Sequence, residues 1–172
     1  MIETSLIGFS RGEQTDSTFH AVNPKTGTNL ETAYSHSTEG EVQLSCELAQ
    51  LATQSMATLS AKDKAGFIRL VADRIDGAVD QIVSVMTAET GLPEARVRGE
   101  TGRTSGQLRM FADLVEEGSW VDARIDRAIP ERPPIPKPDL RAMLRPIGPV
   151  AVFCASNFPL AFSVAGGDTA SA

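Results

Sequence analysis

Pro146-Ile147-Gly148-Pro149-Val150-Ala151-Val152-Phe153-Cys154-Ala155-Ser156-Asn157-Phe158-Pro159 carries the run of residues on which the reading of this chain turns. Residues 149–155 are apolar almost without interruption, bounded by Gly148 and Ser156. Such a run suits a strand buried on both faces, as the strands of a parallel sheet are. Pro159 suits the first turn of a following helix, where its missing N–H costs nothing, and Phe162, Val164 and Ala165 continue that helix toward Ala172. A buried strand feeding a helix is the opening move of an α/β sheet.

Working back from this run, Leu140 to Leu144 reads as a strand, and before it Pro130, Pro133, Pro134, Pro136 and Pro138 hold the backbone extended and remove amide donors. The stretch between Trp120 and Pro138 therefore reads as a connector or exposed arm, with a proline-rich ligand for an aromatic-lined domain as the other reading. Upstream lie three helical patterns. Thr38-Glu39-Gly40-Glu41 is a capping box that opens the first. Ser60 opens the second, whose stripe of Ile68, Val71, Ala72, Ile75, Val79, Ile82, Val83 and Met86 demands burial; Gly77 marks a break within it and Gly91 its end. The third runs over residues 93–117 and is closed by Gly118, and its interior Gly99, Gly102 and Gly106 suggest close packing against a neighbour. Residues 19–34 read as two extended segments around the Asn23-Pro24-Lys25-Thr26-Gly27 turn.

The bulk figures narrow the function classes. With 172 residues, 41% hydrophobic and 22% charged, the chain can bury a core. Its 16 Lys and Arg against 22 Asp and Glu give a net charge of -6, which disfavours nucleic acid and anionic membrane as partners. The two cysteines, Cys46 and Cys154, form no disulfide or metal spacing and are expected to be buried thiols, which together with a start lacking a secretory signal points to a cytoplasmic setting. His20 and His36 have no ligand partners at useful spacing, so no metal site is expected.

The Pro146-x-Gly148-x-Val150 strand pattern followed by Asn157-Phe158-Pro159 resembles the first strand and turn of the aldehyde dehydrogenase cofactor domain. Asn23-Pro24-x-Thr26-Gly27 is similar to that family's early hairpin, Glu89-Thr90-Gly91 to its helix end, and residues 100–112 sit where it has a long helix. The resemblance implies an α/β fold: an incomplete Rossmann-like cofactor domain in which N-terminal helices lead into the first strand of a parallel sheet. It divides the chain into a hairpin and helical part (1–122), the proline-rich arm through which subunits associate (123–145), and the first strand and its helix (146–172).

The same resemblance implies chemistry: oxidation of an aldehyde to a carboxylic acid with NAD or NADP, by a thiolate whose tetrahedral adduct gives hydride to the nicotinamide. Asn157 matches the position of the amide that donates to the oxyanion, a kind of donor whose removal costs about 3 kcal/mol in the barrier. Phe153, Cys154, Ala155 and Ser156 match residues near the nicotinamide and its ribose. Ser156 stands where the family more often has Trp. The stretch from Ala155 to Ser163, with Gly166-Gly167-Asp168-Thr169-Ala170-Ser171-Ala172, resembles the branch that oxidises 2-oxoglutarate semialdehyde (2,5-dioxopentanoate). Homo-oligomers and a small aldehyde are the partners implied. The family's phosphate-contacting lysine, general-base glutamate and nucleophilic cysteine fall beyond Ala172, so the 172 residues alone are expected to be inactive, with one half of a split enzyme or a non-catalytic interaction module as the alternatives. Read without the resemblance, Asn157 is a turn residue before Phe-Pro, and Gly166-Gly167-Asp168 is a close-packing site within a helix, not a phosphate cradle.

Overall fold

A computed structural model describes residues 2–172. A three-stranded sheet opens the chain, with β1 (Ile2–Glu3) parallel to β5 (Thr28–Ser35), and β4 (Thr18–Asn23) antiparallel to β5 on its other side. Between β1 and β4 a small antiparallel pair is formed by β2 (Leu6–Ile7) and β3 (Ser10–Arg11). The β4–β5 hairpin turns as expected at Asn23-Pro24-Lys25-Thr26-Gly27. The Asn23 side chain accepts the Lys25 N–H at 2.9 Å, and Gly27 takes φ 72°, a region that a residue with a Cβ enters at a cost.

Four helices follow. Thr38 caps α1 (Glu39–Thr58): its hydroxyl accepts the Glu41 N–H at 3.2 Å, while Glu41 accepts the Thr38 N–H at 2.7 Å and, with its other oxygen, the Glu13 N–H at 2.7 Å. One carboxylate thus ties the helix start to the strand region. Ser60 caps α2 (Ala61–Gly77), and the break expected at Gly77 separates it from α3 (Val79–Thr90), which ends on Gly91 at φ 69°. The longest helix, α4 (Glu94–Glu117), stops at Gly118 with φ 86°.

The centre of the molecule is α4. Its Val97, Thr101, Thr104, Ser105, Leu108 and Ala112 are buried, α2 supplies Ala65 and Ala72, and α3 supplies Val83 and Met86. Small residues let α2 approach closely, and the buried threonine hydroxyls bond to carbonyls one turn back at 2.9 Å, which removes the penalty of burying them. Ion pairs rim the contact: Arg69 reaches Asp113 and Glu116, and Arg109 reaches Asp73 and Asp76. Beyond α4, a 3-10 turn (Ser119–Val121) leads to the hairpin of β6 (Arg124–Asp126) and β7 (Leu140–Ala142), with the prolines in its loop. The last element is the five-residue α5 (Gly167–Ser171).

The α/β class holds, but four local expectations are corrected. Residues 149–155 carry no regular secondary structure: a strand is defined by a bonded neighbour, and none of the described residues pairs with this run. Phe153 is 89% exposed and Val150 61%, the opposite of a strand covered on both faces. The helix expected from Pro159 is a series of turns until α5. Cys46 and Cys154 are exposed rather than buried, because α1 shows that face to solvent and the 149–155 run is uncovered. Gly99, Gly102 and Gly106 face open space, with nothing within 4 Å of where a Cβ would lie, so no close neighbour explains them.

Candidate functional site

The turns after Asn157 are built on one face of α4. Arg96, Glu100, Arg103 and Gln107 recur at intervals of four, three and four residues, which aligns them along the helix. Glu100 is 4% exposed, and its Oε1 accepts two successive backbone donors, the N–H of Leu160 at 2.8 Å and of Ala161 at 3.0 Å. Among the described residues its Oε2 has no hydrogen-bond partner, and Arg96 Nε lies 3.7 Å away as the compensating charge. The guanidinium of Arg96 sits 4.9 Å from the centre of the Phe158 ring; that of Arg103 sits 5.3 Å from Phe158 and 5.2 Å from Phe162. The two rings meet edge to face at 5.5 Å. Leu160 completes the docking by packing on the Val83, Met86 and Val97 cluster.

Within the segment, the Phe162 N–H donates to the Phe158 carbonyl at 3.0 Å, and the Ala155 N–H donates to the Phe162 carbonyl at 3.0 Å. The glycines close the fold-back. A Cβ at Gly166 would lie 2.4 Å from the Ala161 carbonyl oxygen, and one at Gly167 would lie 2.6 Å from the Gln107 side chain. The close-packing reading of Gly166-Gly167-Asp168 therefore holds, at a helix start instead of inside a helix.

Asn157 itself is exposed, as are Phe153, Cys154 and Ser156, while Ala155 is half-buried. The depression beside this segment, about 420 Å³, lies between α3 and the turns; Ile82, Val85, Met86, Pro159, Leu160 and Val164 line it, and none of the residues 153–157 does. The structure thus brings the residues that follow Asn157 onto α4, while residues 153–156 lie outside this depression. His20 Nδ1 lies 2.8 Å from the Leu30 carbonyl and His36 packs on Phe19, so both imidazoles serve the hairpin. Among the described residues no helix is long and apolar enough to cross a membrane.

Glu100 and its flanking arginines went unread in the sequence. The signal was present as the polar stripe Arg96, Glu100, Arg103, Gln107, which is indistinguishable from a solvated helix face until its partner is known.

The family model described as the aldehyde dehydrogenase family matches residues 10–170. The chain belongs to the aldehyde dehydrogenase family. Among relatives, the alpha-ketoglutaric semialdehyde dehydrogenase 2 of Azospirillum brasilense is 44% identical over 168 residues, covering 97% of this chain and 32% of the relative. An alpha-ketoglutaric semialdehyde dehydrogenase of Acinetobacter baylyi is 46% identical over 139 residues, 81% of this chain and 26% of that protein. The chain thus spans a third or less of the length of these relatives. Its fold is shared with solved aldehyde dehydrogenases: a betaine aldehyde dehydrogenase of Staphylococcus aureus, solved with NAD+, superposes with a TM-score of 0.66 at 18% identity over 75% of this chain and 26% of that one. Proline utilization A of Bdellovibrio bacteriovorus matches with a TM-score of 0.80 at 19% identity, over 99% of this chain and 17% of that one.

Proposed function

We propose that the protein to which these residues belong oxidises an aldehyde to a carboxylic acid with NAD or NADP as the electron acceptor, and that α-ketoglutaric semialdehyde is the aldehyde. The observation that carries this reading is the 44% identity to an enzyme of that name across 97% of the chain. In this reading Asn157 donates its side-chain N–H to the aldehyde oxygen as it gains negative charge. An amide suits that task because it donates without a proton to lose, whereas a carboxylate at the same place would repel the charge. The backbone and side chains of Phe153, Cys154, Ala155 and Ser156 stand at the nicotinamide end. The 123–145 arm, with Ile125 and Ile135 about two-thirds exposed, is the surface on which subunits of a homo-oligomer associate, and the setting is cytoplasmic.

The test is to isolate the native gene product that carries this chain, supply α-ketoglutaric semialdehyde with NAD or NADP, and follow the reduced nicotinamide. Turnover with this substrate above that with simple aliphatic aldehydes is expected. No reduction with any aldehyde would overturn the oxidoreductase reading, and indifference to the carboxylate-bearing substrate would overturn its specificity. The 172 residues expressed alone are expected to give no turnover.

A further inference from the structure

We propose that Glu100 is a positioning residue for Asn157, holding the turn that presents it. The proposal rests on the reading of Asn157 given above. A carboxylate this deeply buried is unfavourable unless it is bonded and its charge is compensated. Here one oxygen gathers the N–H groups of two successive residues, Leu160 and Ala161, and Arg96 stands near the other. Asn157 lies three residues before Leu160, a reach of at most about 11 Å. On its other side, the Ala155 N–H is fixed to the Phe162 carbonyl. Asn157 therefore sits on a loop closed at both ends, and among the described residues only Glu100 ties that loop through hydrogen bonds to the rigid helix below. The flanking Arg96 and Arg103 hold Phe158 through ring faces, contacts that resist separation but permit sliding. Two aligned N–H···O bonds resist both, which is what presentation of a single amide requires.

The first measurement is residue-resolved amide exchange on the native gene product that carries this chain. Glu100→Met fills the volume without an acceptor, Glu100→Ala empties it, and Glu100→Gln keeps a carbonyl acceptor. In the Met and Ala variants Leu160 and Ala161 should exchange at least about tenfold faster while Val97 and Leu108 keep their protection, and Gln should stay within about threefold of the parent. Unchanged exchange at Leu160 and Ala161 in both variants, or uniform acceleration along the whole chain in both, overturns the proposal. The second measurement uses the active gene product. Glu100→Met should lower kcat about tenfold or more with little change in the aldehyde KM, and should have no further effect in an Asn157→Ala background. Effects that multiply in the double variant mean a general scaffold role and overturn the positioning claim. Undiminished kcat in Asn157→Ala alone overturns the reading of Asn157 itself, a failure the exchange data tell apart from that of the anchor.

Discussion

Glu100 Oε1 and the Leu160 N–H meet at 2.8 Å across sixty residues of chain, joining the middle of α4 to the segment that follows Asn157. The contact gives an otherwise irregular stretch a defined place: Leu160 sinks into the apolar cluster while its amide is satisfied from the side. Asn157 is left at the surface, where it can meet a group brought from elsewhere. In the active gene product Asn157→Ala should therefore lower kcat by about a hundredfold to a thousandfold, the range for loss of one oxyanion donor. Melting of the variant should match the parent, since the exposed side chain supports no packing; steady-state kinetics and a thermal melt check both.

Arg103 faces two rings at once, at 5.3 and 5.2 Å. Arg103→Ala is expected to destabilise the docked segment by about 0.5–2 kcal/mol through lost cation–π contact. Near-ultraviolet circular dichroism should report loosened Phe158 and Phe162 while far-ultraviolet helicity stays constant. Unaltered near-ultraviolet signal would show that the rings are held by Leu160 and Glu100 alone.

The Glu41 carboxylate is held below its ordinary range chiefly by the Thr38 N–H, and then by the Glu13 N–H. A depressed folded value means the charged form is favoured by folding. The contribution is fully present above the unfolded carboxylate range, about pH 4.3, and is lost as pH falls through the lower folded value. The stability difference between the parent and Glu41→Gln should hence be constant near neutral pH and shrink on acidification below about pH 4. Urea melts across that interval provide the measurement; a difference that grows on acidification would contradict the assignment.

Gly102 lies inside α4 with open space where a Cβ would go. Gly102→Ala should raise the stability of the gene product by about 0.5–1 kcal/mol, because alanine loses less backbone freedom on entering a helix. A lower melting temperature would mean that this face is packed in solution.

Much of the scaffold was legible because its signals are local. The Thr38–Glu41 capping box, the Ser60 cap, the break at Gly77 and the left-handed stops at Gly91 and Gly118 each depend on a few neighbouring residues, and each stands where expected. The Asn23–Gly27 turn is of the same kind. The apolar run at 149–155 carries the local signature of a strand but pairs with none of the described residues, since a strand depends on residues far along the chain that must lie beside it. The cysteines failed for a related reason: hydrophobic neighbours in sequence do not guarantee cover in space.

For the candidate site, the Asn157-Phe158-Pro159 motif was visible in the sequence while its support was not. The helical spacing of Arg96, Glu100, Arg103 and Gln107 follows from the sequence alone. Whether that stripe meets water or protein depends on which segment returns to it after sixty residues, a long-range choice set by burial of Leu160 and by the need of its amide for an acceptor. The sequence by itself determined the helices, their caps and their ends, because backbone geometry and capping are settled within a turn or two. Only the tertiary structure decided that Glu100 is an anchor and that the run before Asn157 lies open, because both depend on contacts between residues distant along the chain.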